Sequence, residues 1–299
     1  MLTQEQIDFF HDNGFLIMRQ LFRGEELRLL REAAEETARL GKAREGEHHL
    51  YANVNGEQIY WRSEHMWRRG DIFLAATVNP ELLENIGQII GEPFRPYNDS
   101  LVVKVPERGA PVFWHQDPPF NLPEWSEPYP APNFTTDIYL DESDPDNGCV
   151  YAIPGHHMVG HVDLTGKTEE ELFEKYGAVP VVMQPGDVLF HAVSTPHGSR
   201  ANRSGRERKV FYIHYMSPRV KDAFYPTWKK FDEVPELEQF AAARERLGFG
   251  RPEASGTIEL TDKGIRFTGS PASSPDLWAK KIAAMPRAEI EAKRKLLMR

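Results

Sequence analysis

Between residues 97 and 218 the chain offers one short β-prone run after another and no helical periodicity among them. The runs are Leu101–Val105, Val112–His115, Phe134–Leu140, Val150–Ile153, Val179–Met183, Val188–His191 and Val210–Tyr215. Pro106-Glu107-Arg108-Gly109, Asp144-Pro145-Asp146-Asn147-Gly148 and Gln184-Pro185-Gly186-Asp187 separate them with turn chemistry. Many short strands without intervening helices argue for a barrel or jelly roll, in which closure of the sheet removes open edges.

The flanks read differently. Residues 1–96 are expected to be a mostly helical support. Thr3-Gln4-Glu5-Gln6 has the pattern of a capping box, and Ile7 and Phe10 begin an apolar face. A short strand follows at Gly14–Met18; Leu27, Leu30, Ala34 and Ala38 then recur at helical spacing from Gly24 to Leu40. A third helix starts at Asn79-Pro80 and stops at Gly91. Residues 219–299 form a C-terminal extension with one hairpin, Thr257–Leu260 to Ile265–Phe267, and serve as a lid, a dimer contact or padding for the barrel. The whole, residues 1–299, reads as a single mostly β (α+β) domain, its strand-rich core at 97–218.

Charge and cysteine content remove several function classes. Lys plus Arg is 36 and Asp plus Glu is 45, so the formal net charge is 36 − 45 = −9. Such a chain repels phosphate backbones and anionic lipid, so neither nucleic acid nor membrane is expected as a partner. No apolar run has the length of a spanning helix, and Met1–Phe10 lacks the basic cluster of a signal peptide. The single cysteine, Cys149, excludes an intrachain disulfide and a multi-cysteine metal site. These features suit a cytoplasmic protein acting on a small molecule, with a homo-oligomer left open.

Chemistry concentrates in two places. In an extended strand, residues i and i+2 share a face, so His115 and Asp117 of Trp114-His115-Gln116-Asp117 converge as two ligands of one metal should. Alone, His-x-Asp is more often a surface turn. At the far end of the β region, Gly186–Phe190 feeds Pro196-His197-Gly198-Ser199, and Arg208 follows eleven residues after His197. A jelly roll brings distant strands side by side, so His197 can complete a facial triad that leaves sites open for a chelating co-substrate and O₂. His191, six residues upstream, is a competing third ligand. The planar, permanently charged fork of Arg208 suits a carboxylate, and Ser199 lies on the His197 face to add a hydroxyl.

In that order, "DNGFLIMRQLF", "HQD", "NGCVYAIPGHH", "GDVLFH" and "HGSRANRSGRERK" resemble the phytanoyl-CoA dioxygenase family of Fe(II)/2-oxoglutarate-dependent oxygenases, over roughly residues 3–216. The resemblance implies a double-stranded β-helix, jelly-roll and cupin-like, with flanking helices. It implies iron at His115, Asp117 and His197, and 2-oxoglutarate at Arg208, Gln116 and Ser199. The implied reaction is hydroxylation of an unactivated C–H bond with release of succinate and CO₂. Desaturation, cyclisation and epimerisation use the same centre. Asp117 argues against halogenation, for which relatives place a small residue there. The strand Phe134–Leu140 carries Thr136 or Asp137 where some relatives place a tryptophan beside the co-substrate.

Two other function classes stand beside this one: a cupin-like hydrolase or isomerase without 2-oxoglutarate, and a non-catalytic binding module on the same scaffold. Arg208 has no task in the first, and retention of three ligand types speaks against the second. His156, His157 and His161 read as structural or surface residues, His48 and His49 as solvated, and His214 as packed core. Trp114, Trp125, Tyr129, Phe134 and Tyr139 are divided between pocket lining and packing, and Cys149 is a small buried hydrophobe.

Overall fold

The computed structural model describes residues 1–118, 127–129, 131–164, 166–168, 170–227 and 233–296. Trp125 lies outside the described residues.

Helix α1 (Gln4–Asn13) starts at the expected capping box, with Thr3 and Gln6 bonding reciprocally, and stops at Gly14 in a left-handed conformation. A Cβ on Gly14 would sit 2.6 Å from both His157 and Thr195, so the position takes only glycine. Helix α2 (Gly24–Ala43) buries Leu30, Ala34 and Ala38 and runs one turn beyond Leu40. After α3 (Asp71–Thr77), helix α4 (Pro80–Ile90) is capped by the Asn79 side chain and ended by Gly91.

The strands are β1 (Phe15–Met18), β2 (His49–Val54), β3 (Glu57–Glu64), β4 (Arg95–Lys104), β5 (Val112–His115), β6 (Phe134–Tyr139) and β7 (Val150–Ala152). They continue with β8 (Val179–Pro180), β9 (Val188–Ala192), β10 (His197–Ser199), β11 (Arg208–Met216), β12 (Ile258–Thr261) and β13 (Gly264–Phe267). A seven-stranded sheet, ordered β1-β9-β6-β11-β4-β3-β2, faces a four-stranded sheet ordered β5-β10-β7-β8. The pairing is antiparallel throughout, which makes the core a double-stranded β-helix.

Within the first 96 residues the expected helices and the short strand β1 are joined by a hairpin absent from the sequence-based expectation: β2 and β3, which extend the large sheet. Asn55 and Gly56 adopt φ of 52° and 88°, the left-handed pair that a two-residue hairpin needs, and Asn53 accepts from the Gly56 N–H at 2.9 Å. His49 is therefore half-buried, its Nδ1 2.7 Å from Ser63 Oγ, while His48 stays exposed.

The C-terminal extension adds Leu237, Phe240, Ile258, Ile265 and Trp278 to the main hydrophobic cluster. Its helices are α5 (Pro218–Phe224), α6 (Leu237–Arg246), α7 (Leu277–Ala284) and α8 (Arg287–Leu296). Phe240 meets Trp67 edge to face at 5.2 Å, and the buried Arg244 bonds Glu26 at 2.6 Å. Trp278 donates to His11 Nδ1 at 2.6 Å and meets His157 edge to face at 5.3 Å. Burial holds both imidazoles neutral, pushing His11 down to about 4 and His157 to about 3. The unfolded chain binds those protons near 6.5, so the two groups lower stability as pH falls below that value and leave it untouched above. His157→Phe should reduce the stability lost between pH 7 and pH 5 by about 2 kcal/mol. Urea midpoints at the two pH values check this; an unchanged difference would show that His157 is not held neutral.

Candidate metal centre and co-substrate pocket

His115 ends β5 and His197 opens β10, and the sheet pairs them directly opposite each other. Their rings lie 4.4 Å apart between centroids. Asp117 follows two residues after His115, its backbone N–H donating to Val193 at 2.8 Å, and its carboxylate stands 3.5 Å from His115 Nε2. One ligand atom from each of the three lies within 4.8 Å of the others, and among the described residues no other such group exists. His115 Nδ1 lies 2.8 Å from Phe113 O, and His197 Nδ1 2.9 Å from Thr195 O. A carbonyl only accepts, so each ring, when neutral, carries its proton on Nδ1 and presents Nε2 as a lone pair.

Electrostatics act in opposite directions on the two imidazoles. Burial, helped by the neighbouring His115, pushes His197 down to about 3 and keeps it neutral. Burial works against the Asp117 charge, but the imidazoles of His115 and His197 beside it outweigh that, so its carboxyl stays ionised well below the usual range. At His115 burial is likewise outweighed, and the Asp117 carboxylate raises it. With a metal in place of the His115 proton, two imidazoles and one carboxylate would suit Fe(II) and leave part of the coordination sphere free.

The competing histidine, His191, stands behind the triad on β9. Its ring is 4.7 Å from that of His197, and its Nε2 faces Asp137 at 3.4 Å. Burial opposes a charge on His191, yet Asp137 raises it to about 9; burial raises Asp137 as well. Both shifts leave one proton within the pair at neutral pH.

A cavity of about 350 Å³ opens from the triad and is lined by Ser199, Arg208, Tyr212 and His214 among others. Arg208, at the start of β11, is among the largest fully buried side chains, yet its Nη1 reaches only Ser143 Oγ at 3.5 Å and its Nε has no partner. Beside it, Lys104 is in register on β4, donates to Ala110 and Arg200 carbonyls, and is pushed down to about 6 by burial and by Arg208. The buried Tyr139 hydroxyl also lacks a partner. A buried guanidinium with an orphaned N–H calls for an anion, and a carboxylate satisfies it bidentately. These residues therefore fit the far end of a dicarboxylate whose near end reaches the triad. A larger cleft, about 650 Å³, lies between Pro93, Arg219 and Lys263 and holds no such ligand group among the described residues.

Gln116 is placed elsewhere. Strand alternation turns it away from the cavity, where its amide donates to the carbonyls of Gly160 and Ser194 and accepts from the N–H of Val162. It ties the His-x-Asp segment to its neighbours and has no free group for a co-substrate. His214, read as core, lines the cavity with Nε2 2.5 Å from Asn133 Oδ1. Trp114 and Phe134 pack into hydrophobic clusters, Tyr129 stacks on Phe224 at 4.2 Å, and Tyr225 joins the cavity wall instead. Cys149 is buried and free. Trp61, Arg62, Glu64 and Asn98 also line the cavity; an Asn-Gly turn ahead of alternating Tyr60, Arg62 and Glu64 was the signal for them.

The phytanoyl-CoA dioxygenase family profile matches residues 10–210, two thirds of the chain. The chain belongs to that family. It is similar to the methylphosphonate hydroxylase of Gimesia maris, 27% identical over 275 residues, covering 91% of this chain and 97% of the relative. A probable alpha-ketoglutarate-dependent hypophosphite dioxygenase of Stutzerimonas stutzeri is 26% identical, covering 73% of this chain and 79% of that protein. The crystal structure of EctD from S. alaskensis with bound Fe shares the fold, with a TM-score of 0.60 at 20% identity, covering 72% of this chain and 76% of that one. This member of the phytanoyl-CoA dioxygenase family is an Fe(II)/2-oxoglutarate-dependent dioxygenase. Among its described residues, no helix is long and apolar enough to cross a membrane.

Proposed function

We propose that this chain hydroxylates an unactivated C–H bond of a small organic molecule, with iron held by His115, Asp117 and His197 and 2-oxoglutarate anchored by Arg208 and Ser199. The observation that carries the reading is Arg208: a buried cation with an orphaned N–H, sharing one cavity with a facial triad. A metal-dependent hydrolase or isomerase has no use for that guanidinium. Fe(II) with 2-oxoglutarate and O₂ supplies the oxidising chemistry, converting the co-substrate to succinate and CO₂ while one oxygen atom enters the C–H bond.

The chain's own residues do the positioning. The Phe113 and Thr195 carbonyls hold the two imidazoles in one tautomer and orientation. Arg208 fixes the far carboxylate of 2-oxoglutarate, with the Ser199 hydroxyl on the same cavity wall for a further hydrogen bond. Burial of the His191–Asp137 pair walls the back of the site against bulk water. A cavity of about 350 Å³ is near the small end of ligand pockets and admits both 2-oxoglutarate and substrate, which favours a small substrate over a long acyl thioester. The similarity to a methylphosphonate hydroxylase puts small phosphonates first among candidates. The lone buried thiol of Cys149 suits a reducing, cytoplasmic setting.

The test couples 2-oxoglutarate turnover to mass detection of oxygen gain across small phosphonates, carboxylates and amino-acid-like solutes. Succinate should form with Fe(II), stop with chelator, and rise when a substrate is present. Product without succinate would overturn the reading.

A further inference from the structure

The metal ligands and the Arg208 end account for one side of the cavity; the side built by β3 and β4 still carries unsatisfied polar groups. Cross-strand pairing sets Glu64 opposite Ser100, Ser100 opposite Tyr212, and Tyr212 opposite Asp137, so these side chains share the inner face of the large sheet. Arg62, opposite Val102, belongs to the same face one pair along. Arg62, Glu64 and Asn98 all line the cavity. Arg62 Nη2 meets Glu64 at 3.3 Å, but its Nε–H is buried without a partner, and so is Asn98 Oδ1. Buried polar atoms are almost always paired, and both residues line the space that a substrate must enter.

We propose that Arg62 and Asn98 form the polar end of the substrate subsite, and that the substrate is a small organic oxyanion carrying its own O–H or N–H donor. This rests on the oxygenase reading above. The orphaned Arg62 N–H takes an anionic oxygen, while the orphaned Asn98 carbonyl takes a donor from the ligand. A phosphonate monoanion offers both: charged oxygens for Arg62 and a remaining P–O–H for Asn98. A sulfonate of the same shape offers only the first, and a long hydrocarbon offers neither. Arg62 reaches the cavity from the hairpin rather than from the strands bearing the triad, so substrate selection and iron binding are carried by different elements.

The protein is loaded anaerobically with Fe(II) and saturating 2-oxoglutarate, whose binding is read by its charge-transfer absorption. Methylphosphonate and methanesulfonate are then titrated calorimetrically. The parent should bind methylphosphonate more tightly than methanesulfonate. Arg62→Gln should weaken methylphosphonate by about thirtyfold or more while leaving the 2-oxoglutarate absorption in place, and Arg62→Lys should recover part of the loss. Asn98→Leu should abolish the preference for phosphonate over sulfonate. Equal phosphonate binding in parent and Arg62→Gln overturns the assignment of Arg62, and failure of both probes to bind the loaded parent overturns the oxyanion class. A parent with no 2-oxoglutarate absorption would instead overturn the oxygenase reading; the same titration of the metal-free chain would still decide whether Arg62 holds an anion.

Discussion

Replacing Arg208 with alanine should weaken 2-oxoglutarate by on the order of a hundredfold or more while iron binding survives. The side chain is fully buried and spends its charge on nothing but a long contact to Ser143. Two charge-assisted hydrogen bonds to a carboxylate contribute roughly 1.5–3 kcal/mol each, and each ~1.4 kcal/mol is a factor of ten. Arg208→Lys should fall between, since it keeps the charge and loses the fork. Arg206→Ala is the control: that guanidinium bonds Glu142 and Asp144 at 2.5 and 2.6 Å on the surface, and its loss should leave 2-oxoglutarate affinity unchanged. If 2-oxoglutarate binds Arg208→Ala as it binds the parent, the anchor lies elsewhere.

The second large effect concerns the metal. His115→Ala, Asp117→Ala and His197→Ala should each lower Fe(II) affinity by more than the ~10–100-fold typical of losing an outer partner, because two protein ligands hold a metal far less well than three. His191→Gln should retain iron close to the parent's stoichiometry, since His191 faces Asp137 rather than the ligand cluster. Because that substitution also disturbs a buried pair, iron content is measured alongside thermal unfolding to separate ligation from stability. Full iron in the His197 variant and none in the His191 variant would move the third ligand six residues upstream.

Why these particular residues were readable follows from the range of the physics involved. The capping box at Thr3, the glycine stops at Gly14 and Gly91, and the strand runs through β5, β9 and β11 are local effects, and the chain's own neighbours decide them. The choice between His191 and His197 is not local. It depends on β10 lying against β5 with His197 opposite His115, a register set by the small sheet as a whole. The β2–β3 hairpin carries a weak sequence signal: both its faces are largely polar or half-exposed, so the alternation that marks a half-buried strand is faint, and only the Asn55-Gly56 turn points to it. Gln116 shows the converse. Its neighbours His115 and Asp117 turn toward the cavity, so strand alternation alone points it the other way, where three backbone groups receive it.

The hairpin has a consequence for how such an enzyme can change. Strand β3 is bonded to the rest of the large sheet through β4, and β2 through β3, whereas Arg208 lies on β11 between β6 and β4, and His197 lies on β10 between β7 and the His115 strand β5. The turn at Asn55-Gly56 is exposed, the kind of tip where insertions and deletions are absorbed with little cost. Lengthening, shortening or recharging this arm alters which molecule is presented to the reactive centre, while the ladder that spaces the centre stays in register. An engineer seeking a new substrate would therefore begin at the rim of the sheet and leave its middle alone.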